Sequence, residues 1–242
     1  MARTAASARG TIARRAIRLS SSLSQYLSRT GTAALRGQSG TGGWWRCGWL
    51  KATSAASDTY ILNTRSGNTG TIVQLRTPGP LVAVFAGNGS ALSQVNSSVN
   101  PLSLGTWYFW FAYYDGTNIG VSINAGVAVT ATLSTFSPGT NDFQLGAESG
   151  PANFMNGLEQ CVGGDDSFYS LTPAQLATAL YNGGSALRPA QLTAVGVTIS
   201  SSGFYFNLDG DLVDSGPNAY TLTNNGGATF DTGTGLGVRT AI

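Results

Sequence analysis

A chain of 242 residues that is 42% hydrophobic and only 10% charged, with 33 glycines, suits many short strands joined by tight turns and excludes disorder. A single body of this size buries roughly 70–75% of its unfolded surface and needs no staples. No run reaches the ~18 apolar residues of a membrane helix, and the absence of histidine rules out a His-based triad, an imidazole base and His-ligated zinc. The net charge of +2 hides an asymmetry. Residues 1–57 hold nine bases and no acid (+9), while residues 58–242 hold four bases and eleven acids (−7).

Arg3, Arg9, Arg14, Arg15 and Arg18 make residues 1–22 a basic N-terminal arm. Ile12, Ala16, Leu19, Leu23 and Leu27 recur at near-helical spacing, so the stretch reads as an amphipathic helix or as an extended segment ordered by a neighbour. The arm is Arg-rich, Ser-rich and acid-free, like a mitochondrial transit peptide, and it lacks the apolar core of a secretion signal. It has no aromatic interleaving before Tyr26, which favours docking on an acidic protein over nucleic acid.

After a Gly/Ser/Thr-rich loop at 31–43, residues 44–50 (WWRCGWL) read as a strand, followed by strand patterns at 59–62, 71–75 and 81–85. The run 107–114 (WYFWFAYY) is apolar on both faces and ends in Asp115-Gly116, and residues 119–123 close on Asn124-Ala-Gly126. That is a β-hairpin whose first strand lies centrally between two layers. Further strands are predicted at 127–133, 142–145, 195–199, 203–208 and 220–223. One helix stands out near 172–182, with a Thr172 N-cap, Pro173 at its first position, apolar Leu176, Leu180 and Tyr181, and an Asn-Gly-Gly stop.

Four aromatic residues, Trp49, Trp110, Tyr113 and Tyr114, are candidates for an exposed sugar platform, although alternation sends about half of them to the core. Asp209, Asp211 and Asp214 invite calcium, but an Asp/Gly/Ser/Asn turn accounts for them without metal and is the favoured reading. Asp165 and Asp166, just before the helix, read as solvated or helix-proximal acids rather than metal ligands. Cys47 and Cys161 are either free thiols, which we favour, or one long-range bridge.

Three segments together resemble the laminin-G-like, concanavalin A-like jelly roll. The first runs from Gly105-Thr-Trp107 through Asp115-Gly116 to Asn124-Ala-Gly126. The second joins Phe143-Gln-Leu-Gly146 and Gly157-Leu-Glu159 to the stretch 171–184, with Glu159 in place of the usual Asp and Gln175 in place of the helix Glu. The third, Tyr26-Leu-Ser-Arg29 with Cys47-Gly-Trp49-Leu-Lys51, is similar to the opening of phage-type members. The tail from Phe204 to Thr223 looks like a segment that usually opens such domains, which implies a circularly shifted strand order.

The resemblance implies an all-β fold: a concanavalin A-like jelly-roll β-sandwich of two antiparallel sheets over 23–242, with 203–242 completing it. Relatives that hydrolyse glycans carry a clustered Glu-x-Asp-x-x-Glu strand. This chain has only Glu148 and Glu159 without that motif, so no enzyme activity and no cofactor are expected, with calcium left as the alternative. The expected function is a non-enzymatic bacteriophage virion protein, a capsid decoration or tail fibre subunit assembled in the host cytoplasm. It would be held to other virion proteins by its arm, be homo-oligomeric with a trimer as the family analogy, touch host surface glycans and involve no membrane. The alternative is a cellular or secreted glycan-binding module, calcium-dependent or not.

Overall fold

The computed structural model describes residues 14–37, 42–99, 101–232 and 235–236. Fifteen strands are defined: β1 (Arg15–Leu19), β2 (Tyr26–Arg29), β3 (Trp44–Ala52), β4 (Thr59–Asn63), β5 (Thr71–Arg76), β6 (Leu81–Gly87), β7 (Leu92–Asn96), β8 (Tyr108–Tyr114), β9 (Asn118–Ile123), β10 (Val129–Thr132), β11 (Phe143–Leu145), β12 (Gly157–Asp165), β13 (Phe204–Phe206), β14 (Thr223–Asn225) and β15 (Thr229–Thr232). Three helices accompany them: α1 (Ala33–Arg36), α2 (Pro173–Tyr181) and α3 (Pro189–Leu192).

The strands form two antiparallel sheets. One runs β10-β9-β8-β3-β12-β1-β15, with β13 also paired to β12; the other runs β14-β2-β11-β4-β5-β6-β7. Strand β12 is the seam of the first sheet. One edge pairs with β3, while the other pairs with β1 over its first half and with β13 over its second. The change of partner falls at a register shift between Gln160 and Gly163, where Cys161 takes a left-handed φ of 52°.

Strands β3 and β8 explain why two cores exist. Trp44, Leu50, Trp110, Ala112 and Tyr114 point between the sheets into the main core. Their alternates, Trp45, Cys47, Trp49, Phe109, Phe111 and Tyr113, point to the other side and are buried too. Leu176, Ala177 and Leu180 of α2, with Leu187, Leu192 and Val197, cover that second face. A strand apolar on both sides is thus matched by a cover on both sides. Helix α2 forms because its ends are chemically specified. The Gln175 N–H donates to Thr172 Oγ1 (3.3 Å), the Thr172 N–H donates back to Gln175 Oε1 (2.9 Å), and Asn182 closes it at φ 48°.

Several expectations need correction. Residues 15–19, placed in the arm, are a strand inside the first sheet; Ile17 and Leu19 are buried between layers, a two-residue alternation that the arginines and Ser20–Ser22 obscured. Residues 195–199 are not a strand but a 3-10 turn and extended chain packed on the second core. Strands β7 and β15 were not predicted, and α1 and α3 add two short helices to the one expected. The tail does not stand apart: β13 pairs with β12, β14 with β2 and β15 with β1.

Candidate functional site

The outer face of the β14-to-β7 sheet is not covered as the opposite face is. The ladder places Thr223, Ser28, Gln144, Asn63, Ile72, Phe85 and Gln94 directly opposite one another across all seven strands. Their chain neighbours Leu27, Leu62, Val73, Val84, Leu145 and Val95 point into the main core, so the row itself faces outward. Its first four members are polar and span about 14 Å at ordinary strand spacing.

Above this polar end lie two adjoining clefts of about 390 Å³ and 190 Å³, which share Asn141 and Ser149 in their walls. Gln144, Ser28 and Tyr26 line the larger cleft; Asn63, Arg65 and Glu148 line the smaller. The wall loop is fixed from below. Arg36 donates to the carbonyls of Thr140 (2.6 Å) and Asn141 (3.1 Å), and the Asn141 side chain donates to the Arg65 carbonyl. Gly139 permits the approach, because a Cβ there would stand 1.7 Å from the Thr64 carbonyl oxygen.

The floor holds two unanswered polar atoms. Asn63 accepts from the Arg65 N–H through Oδ1 (3.1 Å), but its buried Nδ2 has no partner. Gln144 Oε1 is likewise buried and unpartnered. Asn63 is 1% exposed and Gln144 6%. Each unmet amide group, one on the floor of each cleft, costs about 1–3 kcal/mol unless something in that cleft answers it. At the rim the half-buried Tyr26 packs on Phe154, ring centroids 6.0 Å apart. Glu148 accepts from Asn153 Nδ2 (2.6 Å), and burial, then the Glu148 charge, pushes the Tyr60 phenol up to about 12.

The four expected platform aromatics are elsewhere. Trp110 and Tyr114 are sealed between the sheets, while Trp49 and Tyr113 lie under the cover of the second core, Trp49 stacked on Tyr181 of α2 at 5.7 Å. Covered by the facing sheet or by the α2 segment, none of the four forms an exposed aromatic platform, and Tyr113 borders only a small cavity beside α2.

The three aspartates are not gathered around a common point, and among the described residues no group of three or more His, Cys, Asp or Glu could hold a metal. Asp209 accepts from the Arg15 N–H (2.8 Å) and lies near Arg14 and Arg188. Asp211 makes a turn by accepting from the Val213 N–H, and Asp214 is buried, accepting from the N–H groups of Tyr205 (2.6 Å) and Gly216 (2.8 Å).

Asp165 is not solvated. It is fully buried and accepts from the N–H groups of Asp166, Ser167 and Ser200 and from the hydroxyls of Ser200 and Tyr169, tying the end of β12 to the covering segment. Asp166 lies 3.9 Å from Arg46, a buried cation between the faces of Trp44 and Phe204.

Of the arm residues, Arg3 and Arg9 lie outside the described residues. Arg14 is buried directly before β1, and Arg15 and Arg18 belong to β1, with Arg18 paired to Asp231 of β15. They are parts of the body. Glu159 is wholly buried between Ile17 and Leu50 in register, its carboxyl without a partner and pushed well above the ordinary range by burial. It faces the main core rather than a cleft. Cys47 and Cys161 are buried free thiols, the second pushed up to about 12 by burial.

Two facing antiparallel sheets with one covered and one open outer face define a lectin-like jelly-roll sandwich. The sequence profile of Laminin_G_3, the concanavalin A-like lectin/glucanases superfamily, matches residues 29–163, more than half of the chain. The chain belongs to that superfamily. No curated protein sequence gives a match. Among solved structures, one from Bacteroides ovatus described as a candidate carbohydrate binding protein is similar at TM-score 0.62 and 18% identity, over 91% of this chain and 60% of that one. The heptameric SAP-like pentraxin of Limulus polyphemus is similar at TM-score 0.57 and 13% identity, over 93% of this chain and 95% of that one. The enzymatically active domain of tailspike protein 2 of bacteriophage CBA120 reaches only TM-score 0.48 at 15% identity, over 72% of this chain and 28% of that one.

Proposed function

We infer that the protein is a non-enzymatic, lectin-like module that binds neutral glycans in the open groove over β2, β11 and β4. The observation that carries this reading is the pair of buried, unpartnered atoms, Asn63 Nδ2 and Gln144 Oε1, on the groove floor. A sugar hydroxyl both donates and accepts, so adjacent hydroxyls satisfy both. Tyr26 at the rim supplies a ring for a sugar face, and one base with two acids nearby (Arg65, Asp142, Glu148) favours an uncharged ligand over a polyanion. The Bacteroides protein's description agrees with this class. The burial of Glu159 in the main core and the absence of histidine support a binding role over hydrolysis.

The test is a screen of neutral oligosaccharides followed by titration. Ser28→Trp, which fills the groove, is expected to abolish binding, and Gln144→Ala to weaken it about tenfold, the loss of one hydrogen bond. A glycan bound equally by both variants would contradict the assignment.

For the setting we keep a bacteriophage virion, with the module as a decoration or fibre subunit, homo-oligomeric and facing host glycans. The likeness of 26–29 and 47–51 to phage-type members and the basic stretch containing Arg3 and Arg9 support it. Because β1 begins at Arg15, the informative truncation removes residues 2–13. Reduced incorporation into particles is expected, whereas undiminished occupancy would favour the cellular glycan-binding alternative.

A further inference from the structure

On the side of the molecule opposite the groove, a cavity of about 250 Å³ lies between α2, the outer face of β8 and β9, and the loop that joins β9 to β10. Small residues create it. Ser122 occupies the outward position of β9 opposite Phe111, and Ala174 and Ala177 face it from the helix, where larger side chains would close the space. Phe111 and Tyr113 line it, with ring centroids 6.0 Å apart, and Val127 stands at its edge 90% exposed. Among the described residues of the lining, Tyr113 alone is ionisable.

One atom in the lining is unexplained by the fold. Ser122 is 3% exposed, yet its Oγ has no hydrogen-bond partner. A buried hydroxyl without a partner is costly, and a cavity beside it provides the place where a partner would sit. The volume sets the ligand's size: an apolar cavity of about 150 Å³ accepts benzene, so this one has room for a ring with a substituent. The uncharged lining excludes an ion, and a hydroxyl at the wall selects a ligand with one polar atom, because Ser Oγ both donates and accepts.

We propose that this cavity is a second binding site, for a small neutral aromatic molecule carrying one hydroxyl or carbonyl group, its ring against Phe111 and Tyr113 and its polar atom on Ser122 Oγ. It uses none of the groove residues, so it stands or falls separately from glycan binding.

The probes are phenol and p-cresol, with benzene as the apolar control, titrated onto the full chain by ligand-observed NMR and thermal melting. Wild type is expected to saturate with phenol below about 10 mM and to melt at higher temperature in its presence. Ser122→Ala should weaken phenol about tenfold and leave benzene unchanged. Ala177→Leu should abolish binding of both, and Ala174→Leu, at an exposed helix position on the lining, serves the same purpose if Ala177→Leu fails to fold. Failure of wild type to saturate with phenol, equal loss of phenol and benzene in Ser122→Ala, or undiminished binding in the folded leucine variant would overturn the proposal.

Discussion

The two outer faces of this sandwich are built from the same kind of alternating strand and end in opposite states. On the β3–β8 side, outward Trp45, Trp49, Phe109 and Phe111 are roofed by α2 and the segment that follows it. On the β2–β11–β4 side, outward Tyr26, Ser28, Gln144 and Asn63 have no such roof and sit under two clefts. Aromatic richness therefore marks the covered face and polar alternation the open one. The lesson is that a large outward aromatic on a strand signals what packs over it before it signals what binds to it.

The covered face is expected to respond most strongly to substitution. Phe109→Ala is expected to cost about 3–5 kcal/mol in denaturant unfolding, since it opens a cavity in a closed core. A loss below about 1 kcal/mol would mean that the roof is loose. Asp165→Asn comes next, at about 3 kcal/mol, because an amide nitrogen cannot accept the donors now converging on the carboxylate.

Glu159 sharpens the contrast within the main core. Its carboxyl is raised in the folded state, so the stability it lends is fully present below the ordinary carboxylate value near 4 and is lost as pH rises through the folded value. Glu159→Met should flatten that slope and raise neutral-pH stability by about 1–3 kcal/mol. Unchanged pH dependence in unfolding would refute the carboxyl's isolation. On the open face, Gln144→Ala should alter stability by less than about 1 kcal/mol while weakening glycan binding about tenfold. Smallest of all, a chelator should leave glycan binding unchanged, because the described carboxylates do not converge on a metal position.

Much of the fold was legible because the signals were local. The two-faced run before Asp115-Gly116 announced a central strand, and the Thr172/Gln175 capping pair with the Asn182 stop announced α2. What escaped was decided by distant partners. Strand β1 is five residues with arginines at two positions, and β7 buries only Val95, so their patterns carry little hydrophobic contrast. The charge asymmetry was visible, but Arg14, Arg15 and Arg18 were assigned to an arm although they belong to the body. Arg14 meets Asp209, Arg18 meets Asp231 and Arg46 meets Asp166, so basic front strands and the acidic remainder are complementary parts of one body. The groove could not be assembled from sequence, because Ser28, Asn63 and Gln144 come from three strands whose adjacency depends on sheet order. Each alone looks like an ordinary outward polar residue.

The most direct measurement is a paired titration of the best neutral oligosaccharide against Gln144→Ala and Trp49→Phe. The open-face account predicts about a tenfold loss for the first and wild-type affinity for the second, whose ring is stacked beneath Tyr181. Wild-type affinity in Gln144→Ala together with lost binding in Trp49→Phe would place the sugar on the covered aromatic face and contradict it.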